Sequence, residues 1–173
     1  RDEYGQFLPI IFKSFGDHKP GLYVYLAIPS ILIFGLNEFS VRLPSALFGT
    51  LTVLIMYLLL IEVRFTQIGK RPPCREAGIS ADSISLVAAL FLAISPWHIN
   101  FSRGAWELNV MLFEIVLGIF LAIKFLNTKK NIFFLFSAVV FILTLLTYQA
   151  AKFLVPVLLA GLFIFNRQRL KQI

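Results

Sequence analysis

The sequence predicts an all-α fold, a polytopic transmembrane helical bundle of about five spans with one juxtamembrane helix, and three observations carry that prediction. Of 173 residues 58% are hydrophobic, phenylalanine alone numbers 19, and only 14% are charged. A soluble domain of this length has no core large enough to hide so much apolar surface. Leu43 to Ile61 and Ser83 to Ser102 contain no Asp, Glu, Lys or Arg, and each is about long enough to cross a ~30 Å hydrocarbon layer as a helix. Three basic clusters punctuate the chain: Arg64, Lys70, Arg71 and Arg75; Lys124, Lys129 and Lys130; Arg167, Arg169 and Lys171. If they share one side, that side is cytoplasmic by the positive-inside rule. The net charge of +7 therefore reports topology, and no nucleic-acid partner is expected.

Residues 1–40 form an extracytoplasmic loop with the juxtamembrane helix, and residues 41–173 a transmembrane region that is part of a larger domain. Arg1 to Pro20 is polar and punctuated by Gly5, Pro9, Gly16 and Pro20, which marks an ordered loop. Leu22 to Phe34 is apolar but too short to cross unaided, so it lies on or dips into the outer face, with Pro29 as a candidate kink. Val41 to Ile61 is the first complete span, with Pro44 expected in its first turn, where a missing N–H costs little. Glu62 to Asp82 holds Pro72, Pro73 and the only cysteine, Cys74, and reads as the first cytoplasmic loop. Ser83 to Trp97 returns outward, and Asn100 to Trp106 is a short external turn. Glu107 to Ile123 goes in, Asn131 to Tyr148 comes out and Phe153 to Phe165 goes in again. One helix from Asn131 to Asn166 would be about 54 Å long, nearly twice the hydrocarbon thickness, so a break is expected near Tyr148-Gln149-Ala150-Ala151-Lys152.

Three polar islands fall on the expected outer side: Asp17-His18-Lys19 with Glu38 and Arg42, Ser102-Arg103 with Glu107, and Tyr148-Gln149 with Lys152. Carboxylates and cations gathered at one membrane face suit an anionic lipid headgroup and acid–base work on a second substrate. Lys19 and Arg42 are the first candidates for a phosphate, as a point charge and a donor fork respectively. The plainer readings are a snorkelling lysine and an i,i+4 pair of Arg42 with Glu38. Arg103 and Glu107 share that four-residue spacing and the same plain reading. Glu114 lies two turns deeper than Glu107, so it is protonated, paired or facing a cavity. Asp17 and His18 leave a divalent metal open, although two histidines of unrelated spacing, His18 and His98, do not make a site. P-loop, nucleophile-elbow and zincin patterns are absent from the sequence.

Asp17-His18-Lys19-Pro20-Gly21-Leu22-Tyr23, the run from Phe34 to Gly49 containing Arg42-Leu43-Pro44-Ser45-Ala46-Leu47-Phe48-Gly49, the run from Ser95 to Arg103, and Thr147-Tyr148-Gln149-Ala150-Ala151-Lys152-Phe153 resemble the bacterial family 39-like glycosyltransferases of the GT-C class. That group is similar to protein O-mannosyltransferases and to the aminoarabinose transferase of lipid A. The resemblance covers nearly the whole chain in order. It implies a multi-pass cell-membrane enzyme that moves a sugar, with inversion, from a polyprenyl-phosphate carrier to an extracytoplasmic acceptor. It also implies that Lys19 meets the carrier phosphate, with Arg42 beside it and Arg103 and Lys152 behind them. Asp17, His18, Glu107 and Tyr148 then shape the sugar or acceptor site, Glu107 and Asp17 as the acids nearest the chemistry. Gly21 departs from the family's K-P-P-L pattern, replacing its second proline, and is expected to loosen that turn. The family's principal acid is expected upstream of Arg1, since Arg1-Asp2-Glu3-Tyr4-Gly5 resembles a later stretch, and further C-terminal spans are expected beyond Ile173. A lipid-linked sugar flippase or transporter and a non-catalytic assembly subunit are the alternatives.

Overall fold

The computed structural model describes residues 5, 7–14, 17–68 and 81–170, with the backbone alone at 14, 17, 64–68, 81–82 and 167–170. Strands β1 (Ile11–Ser14) and β2 (Asp17–Pro20) lead into seven helices among the described residues. These are α1 (Leu22–Phe34), α2 (Glu38–Ile68), α3 (Ala81–Ile94), α4 (Pro96–Arg103), α5 (Glu107–Thr128), α6 (Asn131–Thr147) and α7 (Ala151–Leu170). The body is all-α, as the hydropathy requires. Residues 69–80, with Cys74, and the stretch Arg1 to Tyr4 lie outside the described residues, whereas residues 62–68 and 81–82, expected in the first cytoplasmic loop, are the end of α2 and the start of α3.

The N-terminal loop holds a structure the sequence reading lacked, an antiparallel hairpin that sets Phe12 opposite Lys19 and Lys13 opposite His18. Gly21 tightens this unit, which corrects the expectation that it loosens the turn. Its N–H donates to the Ile10 carbonyl at 2.8 Å, and a Cβ there would stand 2.8 Å from Cδ2 of the Phe12 ring. A proline has no N–H to give and brings bulk into the same space, so glycine suits this position.

Helix α1 folds back along α2 through Gly35, whose φ of 76° is in the left-handed region that favours glycine. Asn37 caps α2: its Oδ1 accepts from the Ser40 N–H at 2.8 Å, while its own N–H donates to Ser40 Oγ at 3.2 Å. Because α2 starts at Glu38, Pro44 falls in the second turn and not the first, and the Ser40 carbonyl loses its i+4 donor. The Ser30 hydroxyl of α1 donates to that carbonyl at 2.5 Å. One residue on, the Tyr23 hydroxyl donates to the Val41 carbonyl at 2.8 Å. Pro44 thus opens the ladder of α2 at the point where two α1 hydroxyls close it.

The α3–α4 pair is bent. Ser95 takes an extended backbone before Pro96, and the axes of α3 and α4 differ by 56°. Residues 96–103 are therefore helical where an external turn from Asn100 was expected. The break between α6 and α7 falls at residues 148–150, as the length argument requires.

Among the described residues, two helices are long and apolar enough to cross a membrane, Glu38–Val63 of α2 and Glu107–Thr128 of α5, or three if the bent α3–α4 pair is one span. Helices α6 and α7 are shorter apolar helices. Helix α5 is the centre, packed on α2 at one face and α6 at the other. Met111 and Ile115 of α5 join Phe141, Ala151 and Val155 in one cluster, and Val116 and Ile123 meet Leu59 in another. Among the described residues, eleven buried side chains are polar against twelve hydrophobic, while Phe165 is 90% and Phe153 81% exposed. Large apolar groups outside and small polar groups between helices is the arrangement a lipid solvent favours, because packing between helices there depends on small and hydroxylated residues.

Candidate functional site

On α2, Arg42, Ala46, Gly49, Val53 and Tyr57 recur at three- and four-residue spacing and so share one face. With Leu86 and Ala89 of α3 and His98, Ser102 and Arg103 of α4, that face lines a cavity of about 680 Å³. From Arg42 to Tyr57 the face runs about 22 Å at 1.5 Å per residue. Its two cations, Arg42 and Arg103, come from different helices, and its long wall is apolar. A second cavity of about 410 Å³ between α5, α6 and α7 has no charged residue in its lining.

Arg42 contacts Glu38 at 3.4 Å across one helical turn, with both side chains mostly exposed. Such a pair contributes about 0–1 kcal/mol, so the guanidinium is available to a stronger acceptor. Arg103 sits in the last turn of α4, where the helix dipole favours a cation. Helix α4 is fixed on α2 by a polar seam. Nε2 of buried His98 donates to the Gly49 carbonyl at 3.1 Å, since a carbonyl can only accept. Ser45 Oγ donates to the Phe101 carbonyl at 3.1 Å, and Ser102 Oγ to the His98 carbonyl at 2.8 Å. Asn109 of α5 donates its amide N–H to the Ser45 carbonyl at 2.6 Å. Sequence reasoning missed Ser45, Gly49 and Asn109 as a joint. The signal was there: Ser45, Gly49 and Thr52 are small residues on one helical face, and all three are buried.

The other candidates gather elsewhere. Asp17 is the first residue of β2, opposite Ser14. Lys19 and His18 are exposed on that strand, and the Gln149 amide donates to the His18 carbonyl, which brings the hairpin to the α6–α7 turn and exposed Lys152. Lys19 is not among the residues that line the Arg42 cavity, so the structure pairs Arg42 with Arg103 where the sequence reading paired it with Lys19. Tyr148 packs half-buried against the Met111–Phe141 cluster, a core role. Glu107 opens α5, where a carboxylate suits the helix N-terminus. Burial pushes the Tyr23 phenol above its ordinary value, the Ser45 N–H lowers it, and the nearby Glu107 charge raises it. Glu114 is buried and its Oε2 meets Thr147 Oγ1 at 2.6 Å, which gives that acid a partner between α5 and α6. Among the described residues no three of His, Cys, Asp or Glu gather at one point.

Together these features define a helical, membrane-associated protein with a long apolar cavity carrying two arginines. No protein-family model, curated protein or solved structure matches the chain.

Proposed function

We propose that this chain belongs to a multi-pass membrane glycosyltransferase that takes a sugar from a polyprenyl-phosphate carrier and transfers it, with inversion, to an extracytoplasmic acceptor. The observation that supports this most is the cavity between α2, α3 and α4, whose apolar wall suits an isoprenoid chain and whose Arg42 and Arg103 suit its phosphate. In this reading α3–α4, α6 and α7 also cross the bilayer, which makes five spans with α2 and α5. Both arginines stabilise negative charge as the sugar–phosphate bond breaks, and a carboxylate deprotonates the acceptor hydroxyl that attacks the anomeric carbon. In this reading Glu107, at the start of α5, shapes the sugar or acceptor side, and exposed Lys19 and Lys152 supply further positive charge. The resemblance of the RLPSALFG and SPWHINFSR segments to family 39-like enzymes points the same way.

The test uses the intact protein in nanodiscs with polyprenyl-phosphate hexoses and pentoses. Carrier-dependent transfer that falls at least tenfold in Arg42→Gln and in Arg103→Gln, with folding retained, is the expected result. Flipping of the carrier without any sugar transfer sinks the enzyme reading, and unchanged transfer in both variants removes the arginines from the site.

A further inference from the structure

We infer that His98 is a positioning residue: its Nε2 bond to the Gly49 carbonyl sets the rotation of α4 on α2 and thereby places Arg103 across the cavity from Arg42. His98 is 3% exposed, and its ring makes one hydrogen bond, to Gly49 O at 3.1 Å, while Nδ1 has no partner among the described residues. One bond therefore orients the whole imidazole. The acceptor is a backbone atom of the helix that carries Arg42, and the donor stands in the short helix that ends at Arg103. Helix α4 needs such a tie, because the Ser95–Pro96 break uncouples it from α3 and leaves the two axes 56° apart. Of the neighbouring bonds, Ser45 Oγ to Phe101 O also joins α2 to α4, at the far end of the short helix, whereas Ser102 Oγ to His98 O lies within α4 and ties nothing to α2. Gly49 completes the contact. A side chain there would strike Ser102 and Asn109, so the carbonyl that His98 uses is reachable only over a bare backbone.

A single hydrogen bond between helices in a lipid environment biases an orientation without deciding whether the protein folds. The effect therefore falls on the second arginine's placement and leaves the apolar wall intact. A glutamine amide reaches about as far as Nε2 and donates in its place, whereas leucine fills the volume and donates nothing.

The experiment has two arms, in the intact protein with Cys74→Ser as background. In the first, spin labels at Leu47→Cys on α2 and Asn100→Cys on α4 report the distance between the helices by dipolar electron paramagnetic resonance. His98→Leu should shift or broaden that distribution, and His98→Gln should restore it. An unshifted distribution in His98→Leu overturns the inference, whatever ligand the cavity takes. The second arm rests on the lipid-phosphate reading and compares farnesyl phosphate with farnesol in nanodiscs. His98→Leu should weaken farnesyl phosphate about tenfold and farnesol less than twofold, and His98→Gln should recover most of the loss. Equal loss of both probes means the cavity has collapsed and overturns the positioning role. Wild-type protein that holds the phosphate no more tightly than the alcohol refutes the lipid-phosphate reading alone, since the distance arm stands without it.

Discussion

Gly49→Ala should destabilise the protein even though alanine is the better helix former. A Cβ on Gly49 lies 2.8 Å from Ser102 Cβ and 2.9 Å from Asn109 Nδ2. Neither neighbour can swing away cheaply. Ser102 Cβ is attached directly to the backbone of α4, and Asn109 is buried with its amide on the Ser45 carbonyl at 2.6 Å. Overpacking of this kind costs about 1–3 kcal/mol; moving α4 outward also breaks the His98 bond and pushing the Asn109 amide aside breaks its bond to Ser45, each a net contribution of about 1 kcal/mol. Against that stands a gain of about 1 kcal/mol in helix propensity. Steric cost and lost bonds outweigh propensity, for a net loss of about 2–4 kcal/mol. Gly161→Ala is the control: in α7 a Cβ meets nothing within 4 Å, so the propensity term acts alone and stability rises by up to about 1 kcal/mol. Titrating the intact protein with SDS in mixed micelles, followed by the fluorescence of Trp97 and Trp106 beside the joint, reads both. Gly49→Ala as stable as wild type, with Gly161→Ala stabilised, would falsify the clamp of α4 on α2.

Three further outcomes can be measured, two of them set by single contacts and one by the placement of charge. Thr147→Val removes the hydroxyl that meets Glu114 at 2.6 Å and leaves a buried carboxyl unpaired, a loss of about 1–3 kcal/mol in the same titration. The double variant Thr147→Val with Glu114→Leu should recover part of it, and no recovery would show that the pair is not what Thr147 supports. The Tyr23 phenol stands above its ordinary value of 10.0 through burial, so the folded state keeps a proton that the unfolded state releases. Its contribution is whole below about pH 10 and is lost as pH rises through the folded value. Tyr23→Phe should flatten that alkaline decline while costing about 1 kcal/mol for the lost bond to the Val41 carbonyl, and an unchanged slope would assign the decline to another group. For topology, cysteines at exposed Lys19 and Lys129 should label from opposite faces of sealed vesicles, since labelling of both from one face contradicts the positive-inside assignment.

The helical body was legible because hydropathy is a sum over many residues. The charge-free runs of α2 and of α3–α4 tolerate errors of several residues at each end, and the α6–α7 break followed from length alone. Glu38 and Arg42 were also legible, because i,i+4 geometry is internal to one helix. The hairpin was not, since four-residue strands bearing Lys13, Asp17, His18 and Lys19 carry no apolar alternation. The grouping of the cations was hidden for a different reason. Which arginine faces which depends on the rotation of separate helices, and linear order put Lys19 nearest Arg42 while the packing chose Arg103. Pro44 shows how a small boundary error changes the physics: moved from first turn to second, a tolerated proline becomes one that opens a carbonyl, and Ser30 and Tyr23 then acquire a purpose their sequence positions did not suggest.

The polar economy of the helix joints bears on which residues remain for chemistry. Ser45, Thr52, Asn109, Ser137, Thr144 and Thr147 are all buried. Thr52 and Thr144 bond back to carbonyls in their own helices at 2.7 and 2.8 Å, and Ser137 reaches across to the Gly118 carbonyl at 2.9 Å. Ser45, His98, Asn109, Ser137 and Thr147 thus tie α2, α4, α5 and α6 to one another, while Thr52 and Thr144 serve only their own helices. Arg42 and Arg103 stand outside that hydroxyl network, at a mostly apolar cavity that Thr50, Tyr57, His98 and Ser102 also line, and on the reading proposed above they meet the carrier phosphate. Loss of Arg103 should therefore leave the SDS unfolding free energy within about 0.5 kcal/mol of wild type while weakening farnesyl phosphate. A destabilisation as large as that of Gly49→Ala would instead make Arg103 part of the scaffold.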